Sequence, residues 1–205
     1  MGTYLKKFEN HTWYDNYINS SDAILPNISL IMETNGIAYN PYVELETSIV
    51  TKYYVERDLI MLFNYQSGSG SGSGSGGEVP FSSMEIDGVE QSEIVNKYTF
   101  DTSGEHTVKY TLTNPTIIDN KTFYECLLTS VIIPDSVTNI GDSAFANCNF
   151  LTSVTVKATT PPTLGNDVFT NNASDRKIYV PSESVEAYKS ASGWSVYADS
   201  IQAIS

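Results

Sequence analysis

Basic residues are scarce in this chain. Eleven Lys and Arg stand against 24 Asp and Glu, a formal net charge of −13 over 205 residues. Nucleic acid is held by clustered cations that neutralise phosphates, so it is excluded as a partner, and anionic membrane surfaces are disfavoured for the same reason. No apolar run approaches the roughly 20 residues of a spanning helix, so no membrane insertion is expected. The opening MGTYLKKFENHTWYDNYIN lacks the apolar core of a secretory signal. Export would need a leader already removed, or another route. Two cysteines are too few for a disulfide scaffold. The two histidines, His11 and His106, are far apart and form no zinc spacing. There is no Asp-x-Asp-x-Asp calcium loop, and the glycine run lacks the lysine of a phosphate loop. Acidic residues are plentiful, but nothing localises the carboxylate pair that glycoside hydrolysis needs. The sequence therefore points to no catalytic residue, no cofactor and no metal, and the expectation is a protein that is not an enzyme. Asn-x-Ser/Thr triplets occur at Asn10, Asn19, Asn27, Asn120 and Asn172. In a chain rich in Asn and Ser they carry no role.

What is present is a repeat. Residues 117–132 read IIDNKTFYECLLTSVI and residues 140–156 read IGDSAFANCNFLTSVTV. Phe123 returns as Phe145 and Cys126 as Cys148, each 22 positions later, and Leu128 and Val131 return as Leu151 and Val154 after 23. A third, worn copy runs from LGNDVF, where Phe169 answers Phe145, to KIYVPSESV. A period in the low twenties signals a solenoid, in which each copy buries its apolar face only against its neighbours. Alternation over Leu151–Val156 predicts a short half-buried strand, with residues 130–133 and 177–180 in the same slot. Asp142-Ser-Ala-Phe145 predicts one helical or 3₁₀ turn with Asp142 as cap and Phe145 facing the core. The cysteines share one phase of adjacent copies. A ladder of small buried residues is the plainer reading. A disulfide between coils is the alternative, since coils stack within the Cα range such a bond allows.

IGDSAFANCNFLTSVTV and the linker IIPDSVTNI before it resemble the BspA-like leucine-rich repeat family. KIYVPSESVEAYKSASGWSVYADSIQAI resembles the cap that closes such arrays. The resemblance covers about the last 90 residues. It implies a surface-exposed, non-enzymatic repeat domain associated with adhesion and binding. The array is short, so little concave surface is expected.

Upstream, residues 43–55, Leu59–Phe63, Met84–Ile86, Tyr98–Phe100 and 106–112 read as antiparallel strands. Asp87-Gly88 signals a hairpin, and Ser103-Gly104 a turn. Together they suggest a small Ig-like β-sandwich over 43–114. The run SGSGSGSGSGG at 67–77 reads as a flexible loop between two strands of that sandwich; a linker between domains and an inserted artificial segment are the other readings. In residues 1–42, Trp13, Tyr14, Tyr17 and Ile18 have helical spacing after Thr12, an extended stretch follows at 24–30, and Asn35-Gly36 signals a hairpin. LPNISLIMETNGIAYNPY resembles a leader in proteins encoded by gut Bacteroidales and their bacteriophages, often ahead of a small β-domain and BspA-like repeats. The expected architecture is mainly β with minor helix: an attachment segment (1–42), a β-sandwich (43–114), then a short BspA-like solenoid with its C-terminal cap (115–205).

The chain has fourteen tyrosines and two tryptophans. Tyr53, Tyr98 and Tyr110 are expected in or near the core, and Trp194 with Tyr188 in the cap. His106, in phase with Val108 and Tyr110, is expected as a partly buried strand residue. Tyr179 alternates with Ile178 and Val180, so it should face outward, with Thr152 and Thr155 alongside on the neighbouring coil. These three are the candidate ligand-binding residues. The expected partner is a neutral host-surface glycan or a protein, because an acidic chain without a basic patch disfavours sulfated or phosphorylated polymers. Taken with the resemblances, the expected role is an adhesion or attachment module that is extracellular, on a cell surface or on a virion. It would be a fibre-like phage protein, trimeric in that case, or else a secreted bacterial surface protein or an accessory domain of an enzyme.

Overall fold

The computed structural model describes residues 31–32, 38–39, 47–56, 59–64 and 79–204. The chain forms two compact units, Met1–Leu45 and Glu46–Ser205. In the first, β1 (Ile31–Met32) and β2 (Ala38–Tyr39) pair antiparallel, with Ile31 opposite Tyr39. They flank the Asn35-Gly36 hairpin signal. The helix expected around Trp13, Tyr14 and Tyr17 and the Gly/Ser run at 67–77 lie outside the described residues.

The second unit begins with β3 (Ser48–Glu56), β4 (Leu59–Met61), β5 (Phe81–Ile86), β6 (Val89–Glu90), β7 (Lys97–Thr99) and β8 (Ser103–Leu112). The repeats supply β9 (Ile117–Ile118), β10 (Leu128–Ile133), β11 (Asn139–Ile140), β12 (Ser153–Val156), β13 (Thr163–Leu164) and β14 (Lys177–Val180). The cap adds 3₁₀ turns at Ser182–Ser184 and Ser195–Ser200, helix α1 (Val185–Ser190), and β15 (Ile201–Ala203). Each coil has a long strand on one wall and a two-residue strand on another. The long strands β10, β12, β14 and β15 are parallel neighbours, and β9, β11 and β13 form a second parallel sheet.

The sandwich expected over 43–114 does not form as a separate body. One eight-stranded sheet runs β15-β14-β12-β10-β3-β8-β5-β6, and β3 joins β10 antiparallel, with Val131 opposite Thr51. Among the described residues of this span, the other sheet is the two-stranded pair β4–β7. The reason is the open edge of the first coil. A terminal solenoid strand leaves a row of unpaired N–H and C=O groups, and β3 satisfies that row. The apolar faces agree, because Tyr53 of β3, Tyr110 of β8 and Phe81 of β5 belong to the same buried cluster as Phe123 of the first coil. Asp87-Gly88 does turn β5 into β6, at φ 51° and 79°. The turn expected at Ser103-Gly104 is instead the start of β8, where Ser103 pairs with Glu56 at the end of β3.

Phenylalanine rings run through the coils like a column. Phe123 and Phe145 stack at 5.2 Å and 6°, and Phe145 and Phe169 at 5.6 Å and 12°. Tyr110 and Phe81 lie 5.6 and 6.0 Å from Phe123 at one end. At the other end Trp194 is 6.1 Å from Phe169, and Tyr188 packs edge-on against Trp194. The cap rings are also anchored through their polar atoms. Trp194 Nε1 donates to the Pro162 carbonyl and the Tyr188 hydroxyl to the Ala158 carbonyl, each at 2.7 Å.

The turn carrying each Phe is not the helical turn read from the sequence. Ser143 has φ 54°, in the left-handed region, as do Lys121 and Asp167 at the same point of the other coils. A second left-handed residue follows in each coil: Glu125, Asn147 and Asn171. Asp142 therefore does not cap its own turn. Its Oδ1 accepts from the backbone N–H of Asn166 in the next coil at 2.7 Å, as Asn120 Oδ1 accepts from the N–H of Asp142 at 2.8 Å. Coils lie too close at this point for a side chain. A Cβ on Gly165 would sit 2.5 Å from the Asp142 nitrogen, and one on Gly141 2.6 Å from the Asn120 nitrogen. Cys126 and Cys148 are free and buried, and the Cys148 thiol donates to the Phe123 carbonyl at 3.0 Å. Burial pushes both thiols upward, Cys148 to about 12.

Two stability predictions follow from this packing. Phe145 is fully buried between two rings, so Phe145→Ala should cost about 3–5 kcal/mol in urea unfolding; a loss near zero would refute the column as a stabilising element. Gly165→Ala forces backbone apart between coils, so about 1–3 kcal/mol should be lost. An unchanged midpoint would mean that the coils can spread at no cost.

Candidate functional site

The long strands alternate strictly, and this fixes what the sheet presents outward. In β12 and β14, Val154, Val156, Ile178 and Val180 are buried while Ser153, Thr155, Lys177 and Tyr179 are half-buried on the other face. Register aligns them. Thr155 is opposite Tyr179, and Tyr179 is opposite Gln202 of β15. The row continues through Ile132 of β10 and Val50 of β3 to Lys109 of β8. A second row alongside it carries Lys177, Ser153, Ser130 and Lys52.

The predicted trio is thus partly assembled. Thr155 sits one strand from Tyr179, about 4.8 Å in the sheet direction. Thr152 precedes β12, and its hydroxyl donates to the Thr129 carbonyl at 3.3 Å, so it stands apart from the Tyr179 row. The side chains of Tyr179, Thr155, Ser153 and Ser130 have no hydrogen-bond partner among the described residues. Their hydroxyls are available to a ligand. Gln202 and Lys177 complete the surroundings of Tyr179 and were not singled out from the sequence. The signal for Gln202 was there: Ile201 follows Ile178 by 23, one repeat length, which makes Ile201-Gln202-Ala203 another strand of the series.

Charge on this face is balanced locally. Lys52 pairs with Glu105 at 2.7 Å and Lys109 with Glu85 at 2.9 Å, all partly exposed. Exposed pairs of this kind stabilise little and add no net charge to this surface. The centre of the face carries hydroxyls, the Tyr179 ring and the ammonium of Lys177.

His106 is buried in β8 beside Val108, as expected, and stacks on Phe100 at 4.1 Å. Nδ1 lies 2.7 Å from Asp87 Oδ2, and Nε2 lies 3.0 Å from the Thr102 carbonyl. Both of these neighbours are acceptors, and the Thr102 hydroxyl lies farther off, 3.5 Å from Nε2. A neutral imidazole can donate to one acceptor only, so the two shorter contacts favour the doubly protonated ring. Burial pulls the His106 pKa down, but the hydrogen bond to Asp87, that to Thr102 and the carboxylate charge outweigh it, and the net shift is upward. Asp87 moves downward: burial raises it, but His106 and the Thr107 N–H outweigh that. With both nitrogens engaged inside the protein, this pair is a clasp on the β5–β6 turn rather than a base aimed at a substrate. No group of three or more potential metal ligands occurs among the described residues.

Residues 81–192, more than half of the chain, match the family model described as a BspA type leucine rich repeat region of six copies. None of the curated proteins matches the chain. The match begins at Phe81 in β5, upstream of the first coil, and so includes the joint where the antiparallel strands meet the solenoid. No helix among the described residues is long and apolar enough to cross a membrane.

The His106–Asp87 clasp predicts a pH dependence with a definite sign. A raised histidine pKa contributes stability that is complete below about pH 6.5 and is lost as pH rises through the folded value. A lowered Asp87 pKa contributes stability present above about pH 3.9 and lost as pH falls through its folded value. Urea midpoints should therefore decline over the interval in which pH rises above about 6.5, and His106→Gln should abolish that decline. A wild-type midpoint that rises over this interval would overturn the assignment of a charged His106.

Proposed function

Because the chain belongs to the BspA-type leucine-rich repeat family, we propose that it is a non-enzymatic adhesion or attachment module of a cell or particle surface. It binds a neutral host-surface glycan or a protein through the outward face of its long sheet. The repeat type is a surface and interaction module. The observation that carries the reading is the row Ile132–Thr155–Tyr179–Gln202, where one aromatic ring is flanked by hydroxyl and amide groups without internal partners. A sugar ring stacks on an aromatic face while its hydroxyls exchange hydrogen bonds with such side chains, and one cation, Lys177, on an otherwise acidic chain is no cluster for a polyanion. Tyr179 is the centre of the site, Thr155 its neighbour, and Thr152 a margin residue.

A glycan array and whole-cell binding with the wild type and Tyr179→Ala test this. Binding should fall by about tenfold or more in the variant, the loss typical of a hot-spot aromatic. Equal binding by both proteins would remove this face from consideration, and preference for heparin-like polymers would contradict the charge argument. A solution mass of three chains would favour a fibre over a monomeric surface domain.

A further inference from the structure

Far along β3 from the Tyr179 row, the sheet stops matching. β3 pairs with β10 only as far as Tyr53 opposite Leu128, yet it pairs with β8 through Glu56 opposite Ser103. Among the described residues, Tyr54, Val55 and Glu56 therefore have a strand neighbour on one side only. On the open side lies a groove of about 660 Å³ lined by Tyr54, Glu56, Leu59, Leu127, Thr129 and Phe150 among others. Large apolar side chains are exposed in it: Tyr54 64%, Leu59 63%, Phe150 59% and Leu127 43%. They account for most of the large exposed apolar side chains of the described residues, and such clustering marks an interaction surface.

The repeat itself shows that the patch is local. Leu127 and Phe150 occupy the same position of successive coils, 23 apart, and the third coil has exposed Ser174 there. Apolar residues stand at this position only beside the β3 overhang. The lining also selects among occupants. Leucines make poor platforms for sugars, and an unpaired strand edge offers backbone N–H and C=O groups that a chain in extended conformation can use. Glu56, the carboxylate of the lining, takes part in no ion pair among the described residues. With a net charge of −13, a second copy of the chain meets repulsion where a basic partner meets attraction.

We propose that this groove binds an extended segment of a partner protein, which adds a strand to the Tyr54–Glu56 edge. The segment places apolar side chains against Leu127, Phe150 and Leu59 and a Lys or Arg against Glu56. Tyr54 and Glu56 share the outward face of the sheet with the Tyr179 row but lie several residues along β3 from it, so this site stands or falls separately from that row.

A library of random linear peptides selected on the full chain tests the proposal. Selected sequences should alternate apolar residues with Lys or Arg. Phe150→Asp should weaken the best synthetic peptide by about tenfold or more, as loss of a hot-spot aromatic does. Glu56→Gln should weaken it several-fold and reduce its salt dependence, and N-methylation of alternate peptide amides should abolish binding. Val196→Asp, which alters a more exposed apolar side chain outside the lining, should change nothing. Leu127→Ser replaces Phe150→Asp if circular dichroism shows that variant to be unfolded. The proposal is overturned if no groove-dependent peptide is selected, or if N-methylated peptides bind equally. It is also overturned if the wild type alone is a dimer that Phe150→Asp dissociates, or if a glycan and not a peptide occupies the groove.

Discussion

The stacked rings of Phe123, Phe145 and Phe169 set the geometry on which the rest depends. Near-parallel rings at 5.2 and 5.6 Å demand that successive coils superpose with almost no rotation at that point. Superposition then places Asn120 over Asp142 and Asp142 over Asn166, so each side-chain oxygen meets the next coil's backbone N–H. The same superposition requires glycine at 141 and 165, where the backbones of neighbouring coils press together. Each fully buried ring contributes about 1.5–3 kcal/mol by its transfer from water. Its larger effect is on register, because a slip of one coil would break the stack, the Asn/Asp ladder and the sheet together.

A column of this kind needs both ends closed. At the C-terminal end Trp194 and Tyr188 continue the aromatic packing and hydrogen-bond to carbonyls of the chain leading into and through the third coil. At the other end closure comes from Phe81 and Tyr110, and from Tyr53, whose hydroxyl donates to the Leu62 carbonyl at 2.6 Å. The antiparallel strands are in this sense the N-terminal cap of the solenoid. That is why they share its sheet.

The repeat was legible because its information is local: spacing of Phe, Leu and Val, and alternation within each strand. Tyr179 facing outward, His106 buried and Trp194 in the cap all follow from the same alternation and spacing. What failed to show was non-local. Alternation in residues 48–55 and 106–112 identifies strands but does not say which sheet they join, and an antiparallel group looks the same whether it folds on itself or onto a solenoid edge. Turn chemistry misled at Asp142, because Asp before a small residue suits a helix cap as well as it suits a bond to the next coil. Only the neighbouring backbone, 24 residues on, decides between them. Thr152 was misplaced for a similar reason, since the strand begins at Ser153, two residues after the Leu151 from which the alternation is read.

The two candidate surfaces have different origins in this construction. The Tyr179 row is a product of repetition, in which equivalent positions of successive coils line up across the sheet and their side chains are set by the repeat. The groove at Tyr54 arises where repetition ends. Coil length limits β10 to six residues and β12 to four, whereas β3 and β8 run for nine and ten because they pair with each other. Strands of unequal length in one sheet must leave an overhang, and the overhang must be covered, charged or used. Here it carries Tyr54 and Glu56 on its exposed face, and the coils beneath it carry Leu127 and Phe150 in place of the serine found one coil further on. A surface kept apolar only where the strand edge is open combines side-chain pockets with free backbone groups, the pair of features by which an extended chain is recognised.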